Sequence, residues 1–286
     1  MAAEIGEKEF FPLEKEIVRI KPPRALISFN LGDIWTYREL LYFLAWRDVK
    51  VRYKQTALGI IWVLLQPVAT TLVFTILFSR LINGAITDGV SYPLFAFCGF
   101  VLWTFTSNAV INASNSLVIH SNLITKVYFP RLIMPFGAIG ATLLDLSISL
   151  AILLPTVFLF GAPFSWRTLL APVFLLLLLV LTLGVGTLLA ALNVRFRDVR
   201  QLLPFALQLW MFVSPVFYSL DVLPEKWRWL WRLNPLAGVL NGFRASLLGT
   251  EFDFPAIAIS VAVSGLILLA GIYVFRQMEN NFADLI

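Results

Sequence analysis

WTYRELLYFLAWRDVKVRYKQTALGIIWVLLQP, residues 35–67, joins a charged amphipathic segment to a long apolar one, and its reading decides the fold. As a helix, its first part places Tyr37, Leu40, Leu41 and Leu44 at i, i+3, i+4 and i+7, which makes one face aliphatic. Trp35, Tyr42, Trp46 and Tyr53 form a second, aromatic line, and Arg38, Arg47, Lys50, Arg52 and Lys54 take much of the remaining surface. That is the composition of a helix lying in the headgroup layer with its cations near lipid phosphate. No charge follows Gly59 until Arg80, a run long enough to cross a hydrocarbon core of roughly 30 Å. The chain is therefore expected to follow the interface over residues 31–57 and to enter the bilayer from residue 58.

The rest of the composition agrees. Hydrophobic residues make up 59% of the 286, charged residues 14%, and the mean hydropathy is +0.84, values that exclude a soluble globular domain. The first 57 residues carry both charge signs and lack a short apolar core before a small-residue cleavage site, unlike a signal peptide. A net charge of +5 is explained by cations flanking membrane segments, so no nucleic-acid partner is expected. Cys98 and His120 are single, which excludes an intrachain disulfide and a Cys/His zinc cluster.

Residues 1–30, interrupted by Pro22-Pro23, read as a cytoplasmic arm. Six apolar runs follow, at about 59–83, 93–119, 135–161, 169–192, 202–220 and 256–275. The cations before the first run, then Lys126, Arg131, Arg195, Arg197, Arg200 and Arg276, fall on one side. The positive-inside rule thus places both termini in the cytoplasm. The expected fold is an all-α membrane protein with six transmembrane helices per subunit. Between the last two, Trp227, Trp229 and Trp231 sit among Lys226, Arg228 and Arg232; Asn234-Pro235 then breaks the chain, and residues 236–248 are too short to span. A re-entrant outer hairpin over 223–248 follows, because irregular backbone at membrane depth must be buried in protein or line water. Trp227, Trp231, Asn234, Pro235 and Arg244 are the candidate gate residues, the hairpin's arginines being expected near outer phosphates or an anionic substrate.

Polar residues interrupt the spans. Thr104, Asn108, Asn112 and Asn115 recur at helical spacing, and Trp62, Gln66 and Thr70 share a face of the first span. Two readings stand, interhelical hydrogen bonding and the wall of a hydrophilic passage. Asp145 is the acid inside a span, without an obvious cationic partner within the membrane; it is either protonated or bonded to a neighbouring helix, or functional. Trp62, Gln66, Thr104, Asn108, Asn112 and Asp145 are the candidate channel lining. Gly184, Gly186, Ala190 and Ala191 predict close helix packing. The loop SNLITKVYFPRLIMP, residues 121–135, is too apolar for a solvated loop and too charged and proline-rich for the bilayer, the profile of a short helix docked into a protein groove. Gly-Lys occurs nowhere, so the chain has no phosphate-binding P-loop and an energy source would be another subunit.

These residues resemble the permease subunits of ABC-2 type exporters for polysaccharides, lipid-linked O antigens and teichoic acids, a type V exporter-like architecture. The match is carried by W-x-x-R-E-L-L at 35–41, R-D-V-K-V-R-Y-K-Q-T-A-L-G at 47–59, W-x-x-L-Q-P at 62–67, K-V-Y-F-P-R at 126–131, R-F-R-D-V at 195–199, S-P-V-F-Y at 214–218 and Asn234-Pro235. The resemblance implies a homodimer in the cytoplasmic (inner) membrane, fed by two copies of a nucleotide-binding ATPase that carries Mg-ATP, with no cofactor on this chain. It makes residues 35–54 an interface helix, 121–131 a coupling helix with Lys126, Tyr128, Phe129 and Arg131 toward the ATPase, and 223–248 the outer gate helices. Trp35, Tyr42, Trp46 and Tyr53 then either receive a sugar chain at the entrance or anchor the interface. A permease for drugs or small lipids remains an alternative. A membrane enzyme of lipid-linked glycan assembly would need paired carboxylates, whereas Asp145, Asp198 and Asp221 are isolated in sequence.

Overall fold

The computed structural model describes residues 31–54, 59, 61–81, 90–161, 165–279 and 282. The expected N-terminal arm, 1–30, lies outside the described residues. The helices are α1 (Leu31–Thr36), α2 (Arg38–Tyr53), α3 (Ile61–Leu81), α4 (Tyr92–Ile119), α5 (Ser121–Lys126), α6 (Ile133–Leu159), α7 (Ala171–Arg195), α8 (Val199–Val213), α9 (Glu225–Arg232), α10 (Pro235–Leu248) and α11 (Phe254–Glu279). Among the described residues there is no strand. Five helical segments, in α3, α4, α6, α7 with the turn before it, and α11, are long and apolar enough to cross a membrane.

The expected fifth span, 202–220, takes a different form. α8 stops at Val213, and its 15 residues rise only about 22 Å. Hydropathy runs on through Ser214 to Tyr218, but Pro215 lacks the N–H that would continue the ladder. The chain there becomes irregular and, through Phe217, buried.

α4 is the centre of the bundle. Phe100, Leu102, Ala109, Val110, Ala113 and Leu117 are at most 1% exposed, and α6, α7, α3, α8 and α10 pack around it. α7 and α11 cross with their backbones in contact: a Cβ on Gly184 would sit 2.7 Å from the Leu268 nitrogen, and one on Gly271 2.5 Å from the Gly184 oxygen. Gly186 similarly admits Ala113 of α4. The small-residue stretch is thus a packing surface, as its composition predicts.

α2, expected at the membrane surface, packs on the bundle. Its aliphatic face, with Leu44 4% exposed and Tyr37, Leu40 and Leu41 partly buried, rests on α6, where Gly137 and Gly140 leave room for Leu44 and Ala45. A second core forms around this contact from Ile124, Phe129, Ile133, Ala191, Val194 and Phe275. It marks the end of the bundle that carries α2, α5 and the end of α11.

At the other end, α9 and α10 make a helix–break–helix. Asn234 caps α10 by accepting from the Leu236 N–H, and Pro235 occupies the first turn, where no donor is lost. α9 is exposed along Trp227 and Trp229, whereas α10 is buried at nearly every residue from Leu236 to Leu248 against α4, α7 and α11.

Candidate functional site

The six residues read as channel lining converge on one groove of about 270 Å³. α3 contributes Trp62 and Gln66, α4 contributes Thr104, Asn108 and Asn112, and α6 contributes Asp145 with Thr142 and Ser149 one turn to either side. On α4 the i, i+4 spacing alone puts the three polar side chains in a row. Among the described residues, Asn108 and Asn112 side chains find no hydrogen-bond partner, which leaves their amides to the groove. Asn115 turns away: it accepts from Asn193 of α7 at 3.2 Å, while Asn193 also donates to the Ser114 carbonyl at 2.9 Å. The stripe therefore splits, with Asn115 joining helices and Thr104, Asn108 and Asn112 facing an open space. The α3 wall is uncovered on its other side, Trp62 being 55% exposed along with Leu65, Leu72, Val73 and Ile76.

Asp145 has, in this groove, the partner that sequence reading does not supply. Arg52 donates to Oδ2 and the Tyr53 hydroxyl to Oδ1, both from the last turn of α2. The missing signal is distance along the chain, since Arg52 counts in sequence as one more interfacial cation. Tyr53 consequently leaves the aromatic line: Trp35 and Tyr42 are exposed, Tyr42 stacks on Trp46 with centroids 6.5 Å apart, and Tyr53 points into the protein. Burial, then the hydrogen bond to Asp145, raises the Tyr53 phenol well above its usual range, so it stays a donor.

A second polar contact joins α2 to the α4–α5 elbow. Arg47 lies 2.7 Å from His120 Nε2 and donates to Asp48 at 2.9 Å. Burial pushes the Asp48 carboxyl up, but the hydrogen bonds to His120 and Arg47 outweigh it and hold it below the ordinary carboxylate value.

The four expected coupling residues divide. Helix α5 ends at Lys126, and Lys126 and Tyr128 are exposed, Tyr128 by 75%. Phe129 is 6% exposed, inside the second core, and Arg131 is tied to Glu279 of α11 through its backbone N–H and its guanidinium. Phe129 is therefore anchored in the second core, and Arg131, half-buried, is engaged by α11. Their apolar and cationic character gives no hint of this in sequence, where the contact with residue 279 is invisible.

At the far end, Trp231 donates to Tyr218 and Trp210 to Asn234, which also donates to Ser214. Arg244, expected near phosphates or an anionic substrate, is instead 4% exposed. Its guanidinium donates to the carbonyls of Phe95 at 3.1 Å, Pro215 at 2.7 Å and Val216, and stacks 3.6 Å from the Phe95 ring. It thus satisfies the backbone freed where α8 breaks, a role that only the pairing of two distant segments creates. Together with Arg244, Arg228 and Arg232 line a cavity of about 680 Å³, Arg232 paired with Asp253 at 2.9 Å. Among the described residues no three His, Cys, Asp or Glu side chains gather as a metal site would require.

A bundle of membrane-length helices around a polar groove defines a multi-span membrane protein with a candidate solute path. The family is shown by comparison: residues 39–248 match the ABC-2 type transporter family, and the chain belongs to it. It is similar to the O-antigen export system permease protein RfbA of Myxococcus xanthus, 30% identical over 88% of this chain and 97% of the relative. It is also similar to the inner membrane transport permease YadH of Escherichia coli K12 (32%, covering 69% and 80%) and the polysialic acid transport protein KpsM of Escherichia coli (26%, covering 82% and 91%).

Proposed function

We propose that this chain is the channel-forming permease subunit of an exporter that moves a cell-surface polysaccharide, such as a lipid-linked O antigen, across the cytoplasmic membrane. The groove carries the reading. Amides and hydroxyls at Gln66, Thr104, Asn108 and Asn112 offer donors and acceptors to sugar hydroxyls, and Trp62 offers a ring face to sugar C–H surfaces. A second copy placed against the exposed α3 face would turn two half-open grooves into one passage and cover the apolar residues that α3 leaves bare. In that homodimer α8 and the segment after it complete a sixth crossing, and α9–α10 forms the outer hairpin.

With both termini in the cytoplasm, Lys126 and Tyr128 face the ATPase subunits, which supply hydrolysis of Mg-ATP. The relatives' names, O-antigen export and polysialic acid transport, favour a glycan over a drug or small lipid. The test is reconstitution with the ATPase in liposomes, combined with cysteine accessibility. Thiols introduced by Asn108→Cys and Asn112→Cys should react with a membrane-impermeant maleimide, and lipid-linked glycan should stimulate hydrolysis. Labelling no greater than at Leu176→Cys, a site 63% exposed on the outside of α7, would show that the groove is dry and end the reading.

A further inference from the structure

We propose that Asp145 is a sugar-binding carboxylate, occupied at rest by Arg52 and Tyr53, and that paired hydroxyls of an uncharged glycan take their place during passage. The proposal rests on the export reading and narrows its substrate class to neutral glycan segments.

Three observations carry it. Asp145 is 8% exposed, yet it lines the groove, so each of its oxygens needs a donor at every stage of a transport cycle. At rest both donors come from consecutive residues in one turn of α2, Arg52 on Oδ2 and Tyr53 on Oδ1. A shift of that single turn removes both together and leaves a bare carboxylate facing the path. A passing polyol brings hydroxyl donors to the same two oxygens, whereas a polyanionic glycan brings, beside its hydroxyls, carboxylates that the bare Asp145 charge repels at close range.

The charge of the wall agrees. Among the described lining residues Arg52 is the one cation and Asp145 the one acid, and they neutralise each other. What remains is amide, hydroxyl and indole, with Thr142 and Ser149 flanking the carboxylate. Ser149 uses its hydroxyl on the Asp145 backbone carbonyl at 2.9 Å, so it does not compete for the carboxylate.

The test uses the full chain with its ATPase in liposomes. It measures the maleimide labelling rate of the thiol introduced by Thr104→Cys, with Cys98 retained because it is 0% exposed. Maltoheptaose should slow labelling, and an oligogalacturonate of equal length should not. Asp145→Asn should raise the maltoheptaose concentration for half-protection roughly tenfold, the loss of hydrogen bonds to a charged acceptor. If that variant assembles poorly, the exchanged pair Arg52→Asp with Asp145→Arg keeps both charges but moves the cation to the α6 position, so that release of the α2 turn leaves a bare guanidinium in place of a carboxylate. It should lose protection by maltoheptaose and gain it from the oligogalacturonate. Equal protection by both sugars in the parent, or the parent's pattern in either variant, overturns the proposal while the passage stands. A thiol that never labels without sugar overturns the passage itself.

Discussion

Replacing Arg244 by methionine tests whether the broken end of α8 is held by one side chain. The substitution nearly preserves volume and the contact with Phe95 but removes three donors: the Phe95 carbonyl keeps its place in the α4 ladder, whereas the Pro215 and Val216 carbonyls lose their guanidinium partner. Hydrogen bonds to a charged group contribute about 1.5–3 kcal/mol each. Against the sum stands the several kcal/mol recovered by no longer burying a guanidinium. The net loss expected is about 2–4 kcal/mol. Lysine should restore only part of it, because one ammonium cannot reach in three directions as the guanidinium fork does. The assay is thermal unfolding of the purified protein in detergent, with size-exclusion chromatography to confirm assembly. A methionine variant as stable as the parent would show that the Pro215 and Val216 carbonyls are satisfied without the arginine and would end this account.

Tyr128→Ala should leave unfolding unchanged within about 0.5 kcal/mol but weaken copurification of the ATPase or uncouple its hydrolysis from export. Phe129→Ala should cost about 3–5 kcal/mol in unfolding, because its ring is in the second core. Asn234→Ala removes the cap of α10 and the partner of Trp210, and should lower stability by about 1–3 kcal/mol in the same melts. Gly184→Ala should destabilise by about 1–3 kcal/mol, since its Cβ would meet the Leu268 backbone, whereas Gly265→Ala, which meets nothing within 4 Å, should be tolerated.

What the sequence shows of this fold is what local sums and helical periods can show. Hydropathy over windows of about 20 residues finds α3, α4, α6, α7 and α11, and i, i+4 spacing brings Thr104, Asn108 and Asn112 into one row before any helix is placed. It overruns at 214–220, because apolarity does not register the backbone donor that Pro215 lacks. Contacts between distant segments are the rest. Asp145 with Arg52, Arg131 with Glu279 and Arg244 with Val216 each join separate segments of the chain, and in each an arginine that reads as a surface cation serves a buried or half-buried acceptor. At Gln66, by contrast, the helical spacing with Trp62 suffices: the side chain lines the groove, while the Thr71 hydroxyl donates to the Pro67 carbonyl.

The pairing of α2 with α6 has a consequence for how the chain is made. Asp145 is synthesised 93 residues after Arg52, an interval of about 5–20 s at translation speeds of ~5–20 residues per second. Through that time the ribosome is still producing α3, α4 and α5, and the amphipathic composition of α2 suits it to wait in a headgroup layer. A lone carboxylate near the centre of a nascent helix adds about 2.5–3.5 kcal/mol to insertion. Arg52 and Tyr53 are on hand when α6 leaves the translocon, so the acid meets its donors on arrival. The order of segments along the gene is thereby also an order of assembly, with the guanidinium delivered before the charge that needs it.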